Sequence, residues 1–241
     1  MSYRSYKSQD TVLCQVLSRE QQSRSCWMFE QENRAVRLSY VLCVHFVVSL
    51  THSLTNDAQQ NAWCEYTGTG DIVQEYNHHL APVNTVTFVD QNRKFVSTSD
   101  DKKILVWEMN VPVPVKYITD PTMHSIPAVT ERPGGKFIVG QSLDNQILTF
   151  NSGARVKPYK KRFSGHIIAG FACQLGFSPN GQYLMSGDGD GRLWFWDWKS
   201  SKVYRKIRAH NDGPCIGCKW HPIDPSRVFT CGWDGTIKEW E

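Results

Sequence analysis

Apolar and polar positions alternate along most of this chain in runs too short for helices. Val83, Val86 and Phe88 mark one such run, and Ala172, Leu175 and Phe177 mark another. Each run of this kind ends in a turn, reading "VDQNRK", "RPGGK", "SPNGQ" or "HPIDPSR". A second short run follows ("FVSTS", "FIVGQS", "YLMSGD", "VFTCG"), then a tight turn holding an Asp, then a third run that closes on an aromatic residue. Successive side chains of a strand face opposite sides, and Gly, Pro, Asn and Asp supply turn geometry. The pattern therefore predicts antiparallel strands. A fourth strand is predicted between each aromatic and the next unit, as in "SKVYRKIRA".

The units repeat. Asp101, Asp144, Asp190 and Asp234 stand six positions before Trp107, Phe150, Trp196 and Trp240, at separations of 43, 46 and 44. His79, His124, His166 and His210 lead the units at separations of 45, 42 and 44. Two independent markers thus keep one period, the signature of a repeat architecture. With "SGH" at Ser164–His166 and "WD" at Trp196–Asp197, the stretch 70–241 resembles the WD40 family. That resemblance implies an all-β fold of four β-propeller blades. It also implies that in each blade a His, a Ser or Thr, the turn Asp and the Trp form a hydrogen-bonded set. The sets expected here are His79, Ser99, Asp101 and Trp107; His124, Ser142, Asp144 and Phe150; His166, Asp188, Asp190 and Trp196; and His210, Gly232, Asp234 and Trp240. Phe150 has no N–H to donate, and Asp188 and Gly232 stand where a hydroxyl belongs, so only the first set is expected to be complete. Asp190 is expected to orient His166. Glu131 falls in the slot held elsewhere by Phe88, Phe177 and Trp220, which predicts a shifted or less buried strand, since an unpaired buried carboxylate is costly.

Composition adds limits. The 241 residues hold nine Trp, nine Tyr and eleven Phe, which suits β structure, and the net charge is only +4. Residues 151–210 concentrate eleven Lys and Arg against three Asp. Within them Arg155, Lys157, Tyr159, Lys160, Lys161 and Arg162 interleave cations with an aromatic, a candidate RNA contact; the plain alternative is a solvated connecting segment. The eight cysteines lack the dense spacing of a secreted disulfide scaffold, and the N-terminus lacks a signal-peptide pattern. The apolar run Tyr40–Leu50 is about half a membrane span. A reducing intracellular compartment is expected.

Three chemical temptations are weak. "DGDG" from Asp188 has Arg192 and Lys199 where a calcium loop needs oxygen ligands. Cys215 and Cys218 have zinc-knuckle spacing, but they align with Val83 and Val86 as strand residues. The four histidines sit on different repeats and do not converge. No nucleophile elbow, zinc-protease or phosphate-loop motif appears. No catalytic residue, metal, cofactor or small-molecule substrate is therefore expected.

More particular strings, among them "MHSIPAV", "GHIIAGFACQLGFSPNGQYLMSGDGDG", "WFWDWKSSKVYR" and "CGWDGTIKEW", are similar to the C-terminal blades of a WD40 family of splicing factors acting around the second catalytic step. This resemblance implies a nuclear, non-enzymatic spliceosomal scaffold that binds proteins and, through its basic stretch, RNA. It also implies the last four blades of a seven-bladed propeller. A general WD40 adaptor, such as a ubiquitin-ligase substrate receptor, stays open as the alternative. Residues 1–69 show no repeat and are left unassigned, expected to be poorly ordered or weakly helical and to pack little on the blades. Trp63 reads as the stub of an earlier blade. With Glu241 one residue past Trp240, the fourth blade is expected to lack an outer strand. Asp71–Tyr76 is expected to be an outer strand without its own blade, leaving an open arc.

Overall fold

A computed structural model describes residues 3–7, 52–56, 62–66, 72–153 and 155–241. Every element among them is a strand. Blade 1 is β5 (Val83–Val89), β6 (Lys94–Ser99), β7 (Ile104–Glu108) and β8 (Lys116–Ile118). Blade 2 is β9 (Ala128–Glu131), β10 (Phe137–Ser142), β11 (Gln146–Asn151) and β12 (Lys157–Phe163). Blade 3 is β13 (Leu175–Phe177), β14 (Tyr183–Gly187), β15 (Arg192–Asp197) and β16 (Val203–Arg208). Blade 4 contains β17 (Cys215–Trp220), β18 (Val228–Gly232) and β19 (Thr236–Trp240). All pairings are antiparallel and follow chain order from inner to outer strand.

The turn between the second and third strand of each blade is set by one residue. Lys102, Asn145, Gly191 and Gly235 each follow the marker Asp, with φ between 62° and 79°. The Asp makes that turn affordable in blades 1 and 4 by accepting the N–H two residues on, Lys103 to Asp101 Oδ1 at 2.9 Å and Thr236 to Asp234 Oδ1 at 3.0 Å.

The hydrophobic core lies between blades, where the sheets of successive blades face each other. Val96, Ile104 and Val106 of blade 1 meet Ile126, Ile138 and Phe150 of the second unit. Val139, Ile147 and Phe163 meet Leu184, Trp194 and Trp196. Met185, Leu193 and Phe195 meet Cys215, Cys218 and Trp240. Each aromatic marker therefore packs toward the preceding blade. The inner strands stack in sequence, β5 on β9, β9 on β13 and β13 on β17, in the order of an arc.

Two findings differ from the sequence expectation. Blade 4 has an outer strand: β1 (Tyr3–Lys7) pairs with β19, with Tyr3 opposite Trp240 and Lys7 opposite Thr236. The strand β4 (Ile72–Tyr76) does not stand alone either. It forms a three-stranded sheet with β2 (His52–Asn56) and β3 (Ala62–Tyr66), and β2 packs beside β5. Trp63 lies in β3, the middle strand. The described parts of 1–69 are thus strands in contact with the blades, not helix. An edge strand needs only one ladder partner and carries none of the marker residues, so the repeat pattern does not reveal it. The rest of that segment, including Tyr40–Leu50, lies outside the described residues.

Candidate functional site

The marker residues form two complete polar sets. In blade 1, the Trp107 indole N–H donates to Ser97 Oγ at 2.8 Å, and Ser97 Oγ lies 2.8 Å from His79 Nε2. His79 Nδ1 lies 3.0 Å from Asp101 Oδ2. In blade 4, Trp240 donates to Thr230 Oγ1 at 2.9 Å, Thr230 meets His210 Nε2 at 3.1 Å, and His210 Nδ1 meets Asp234 at 2.9 Å. A single proton direction satisfies every group: Trp N–H to hydroxyl, hydroxyl to Nε2, Nδ1–H to carboxylate. Burial holds both imidazoles below the ordinary His value, against the upward pull of their Asp partners. Burial pushes Asp101 and Asp234 up, yet their hydrogen bonds outweigh it and keep both carboxyls below the usual range.

The hydroxyl is not the residue expected. Ser97, not Ser99, completes blade 1, and Thr230, not Gly232, completes blade 4. The strand period of two puts Ser97 and Ser99 on one face, so alternation cannot separate them. Register does. Phe95 lies opposite Trp107, and Ser97 is its diagonal neighbour, within reach of the indole. Ser99 Oγ instead donates to Ala81 O and accepts the Asp101 N–H. At Gly232 a Cβ would lie 2.5 Å from the His210 ring, so a side chain there would displace the imidazole. Ser97→Ala is expected to cost about 2–4 kcal/mol, since it leaves an indole N–H and an imidazole nitrogen unpaired, and Ser99→Ala roughly 1–1.5 kcal/mol. Urea unfolding followed by Trp fluorescence measures both; equal losses would refute the assignment.

Blades 2 and 3 depart from the expected sets. His124 is exposed, and Ser142 Oγ and Asp144 Oδ1 are buried without a hydrogen-bond partner. Gly140 stands ten residues before Phe150, where Ser97 and Thr230 stand before their tryptophans, and a Cβ there would meet Ile126 at 2.7 Å. An apolar contact between Ile126 and Phe150 replaces the polar set. In blade 3, Asp190 does not orient His166. Its exposed carboxylate pairs with Arg192 at 3.2 Å. His166 Nε2 lies 2.8 Å from Gln141 Oε1, on blade 2, and its Nδ1 is buried without a partner. With no carboxylate to offset burial, His166 is pushed down to about 4. Asp188 accepts the Trp194 N–H at 2.6 Å, and Trp196 donates to Ser164 O at 3.1 Å. Gln141 was invisible to sequence reasoning because no repeat marker shares its position.

Other tempting groups are placed as follows. Cys215 and Cys218 are buried in the blade 3–blade 4 core, and burial pushes the Cys218 thiol up to about 12 and that of Cys215 well above its usual value. Among the described residues no cluster of three or more His, Cys, Asp or Glu is arranged to hold a metal. Glu131 keeps the expected register opposite Ile138, half-buried, with burial raising its carboxyl.

The basic stretch runs into β12, the fourth strand expected between Phe150 and His166 and the outer edge of blade 2. Arg155, Lys157, Tyr159, Lys160 and Arg162 are exposed, and Arg162 donates to Gln146 Oε1 at 3.2 Å. Lys161 is committed elsewhere. Its ammonium donates to the Trp198 carbonyl and, at 3.1 Å, to that of Lys199, and it lies 5.3 Å from the centre of the Trp198 ring. Arg132 approaches the same indole at 5.0 Å. These contacts tie blade 2 to blade 3, so Lys161 is the one member of the candidate RNA set already engaged by backbone carbonyls.

The family model for the WD domain, G-beta repeat, matches residues 70–108, 157–197 and 201–241. Pre-mRNA-processing factor 17 of Homo sapiens is 56% identical over 174 residues, covering 72% of this chain and 30% of that protein. The Saccharomyces cerevisiae protein of the same name is 36% identical over 167 residues, covering 69% of this chain and 37% of that protein. WD repeat-containing protein 25 of Mus musculus is 26% identical over 183 residues, covering 71% of this chain and 34% of that protein. The chain spans about a third of the length of these relatives.

Proposed function

The chain belongs to the WD40 family, and from that premise we propose that it is a non-enzymatic scaffold of pre-mRNA splicing, acting in the nucleus around the second catalytic step. Its partners in this reading are spliceosomal proteins, with RNA contacted at β12. The observation that carries it is the 56% identity to human Pre-mRNA-processing factor 17 over 174 residues. The site geometry supports a rigid platform rather than a reaction centre. His79, His166 and His210 are each buried against a neighbouring side chain, and Cys173, Cys215 and Cys218 are buried thiols raised by desolvation. A shallow hollow at Asp90, Arg93, Lys94, Glu108 and Met109 has its charges paired with one another, Arg93 with Asp90 at 2.9 Å and Lys94 with Glu108 at 3.8 Å.

The ubiquitin-ligase adaptor reading has less support. Lys199 follows "WDW" where such receptors often carry Arg. A tagged full chain incubated in nuclear extract is expected to recover spliceosomal proteins. Recovery of ligase adaptors in their place would overturn the proposal.

A further inference from the structure

The outer edges of blades 2 and 3 carry the same short string at the same place. Lys157-Pro158-Tyr159-Lys160-Lys161 on β12 recurs as Lys202-Val203-Tyr204-Arg205-Lys206 leading into and along β16, forty-five positions on. The register agrees as well as the spacing. Pro158 lies opposite Phe150 and Val203 opposite Trp196, the aromatic markers of their blades. The ladder breaks in a bulge at both places, though not at the same residue: Tyr204 is itself left out between Val203 and Arg205, while Tyr159 faces Thr149 and the next two residues, Lys160 and Lys161, are left out. Each tyrosine also leans on an aromatic at the start of its own blade's second strand. Tyr159 meets Phe137 at 5.2 Å, and Tyr204 meets Tyr183 at 4.9 Å.

The two rings are braced yet open, 46% and 66% exposed. The cations beside them are open too. Lys157, Lys160, Lys202 and Arg205 are exposed and, among the described residues, pair with no carboxylate. Arg192 and Arg208 stand directly opposite each other across β15 and β16, with the exposed Asp190 the carboxylate beside Arg192. Like charges placed opposite are destabilising, and a bound anion offsets that. Blade 1 has an exposed tyrosine on its outer strand, Tyr117, but not the open cations beside it. There Lys116 of β8 donates to Val156 O, and Glu108 pairs with Lys94.

We propose that blades 2 and 3 bind one single strand of RNA along their outer rims in two equivalent steps. At each step a tyrosine stacks on a base and the flanking cations take phosphates. The proposal rests on the RNA reading of β12 and extends it to a second, unassigned edge. An acidic protein would engage the cations but gain little from two braced, outward rings, whereas every base has a face to stack.

The test uses the full chain and a fluorescein-labelled 20-nucleotide oligouridine, followed by anisotropy across a range of KCl. Tyr159→Ala and Tyr204→Ala are each expected to weaken binding about 5- to 100-fold with the salt slope unchanged, and Tyr204→Phe to retain it. Lys202→Gln and Arg205→Gln together are expected to lower the slope by about 1.4. Thermal melts report folding of each variant. Absent wild-type binding, or binding indifferent to Tyr204→Ala, overturns the proposal. Competition by polyglutamate equal to that by unlabelled RNA, with no tyrosine dependence, assigns the surface to an acidic protein instead. Recovery of spliceosomal proteins from nuclear extract is expected to survive the tyrosine variants, so the scaffold reading and this one fail separately.

Discussion

Gly187→Ala is expected to destabilise the protein by about 4 kcal/mol or more, enough to part blade 3 from blade 4. Gly187 ends β14, in the face that meets β17. A Cβ placed there would overlap the Cys215 carbonyl oxygen, and it would lie 2.8 Å from the carbonyl carbon and 2.9 Å from the Cys215 Cβ. The carbonyl atoms belong to the backbone of a packed strand, and they and the Cβ fixed to it cannot swing aside as a side-chain tip can. Relief requires the two sheets to separate, which opens the core of Met185, Leu193, Cys215 and Cys218 to water. Gly170→Ala is the matching control. It has φ +84° but nothing within 4 Å of the added carbon, so only backbone strain of about 1–2 kcal/mol is expected. Denaturant unfolding of both variants measures the difference. Comparable losses would mean that the blades do not approach each other this closely.

Stability is expected to fall as pH drops from 7 toward 4. Burial lowers His79, His166 and His210 below the unfolded value near 6.5, His166 to about 4. A histidine lowered by folding binds fewer protons in the native state than in the unfolded chain. Its contribution is therefore complete above the unfolded pKa and is lost as pH falls toward the folded one. For His166 alone the window from 6.5 to about 4 corresponds to roughly 3 kcal/mol. His79 and His210 act in the same direction. Asp101 and Asp234, held below the ordinary carboxylate range, contribute only at still lower pH. Urea midpoints at pH 7.5, 6.0 and 5.0 are expected to decrease in order, and His166→Gln to flatten the slope. A midpoint that is level or rises on acidification would contradict the buried, neutral imidazoles.

What could be read from sequence follows from which interactions leave a periodic trace. Trp107, Trp196 and Trp240 recur because each fills the same space against the preceding blade, and the marker Asp recurs because the next residue must take a positive φ. Ser97 and Ser99 share parity, so only cross-strand register separates them. Gln141 takes up the His166 imidazole from a neighbouring blade, a contact between repeats that a pattern within one repeat does not encode. Trp63 stands 44 positions before Trp107, with Asp57 six positions and Ser53 ten positions before it, so the period extends upstream; what that unit lacks is the leading His, absent 26 to 30 positions before Trp63. The outer strand β12 lacks the apolar alternation of the inner strands, so it is legible only from its place between Phe150 and His166.

The pairing of β1 with β19 has a consequence for the order of folding. Tyr3 and Trp240 lie opposite each other across nearly the whole sequence, whereas every other ladder among the described residues joins neighbours in the chain. On the ribosome Tyr3–Lys7 emerges long before Thr236–Trp240, so blades 1 to 3 can assemble during synthesis while blade 4 waits for its last described strand. Closing so long a loop is entropically slow. In that interval the bare edge of β19 accepts any extended strand, including the first strand of another copy, and refolding at high protein concentration favours chains exchanged in that way.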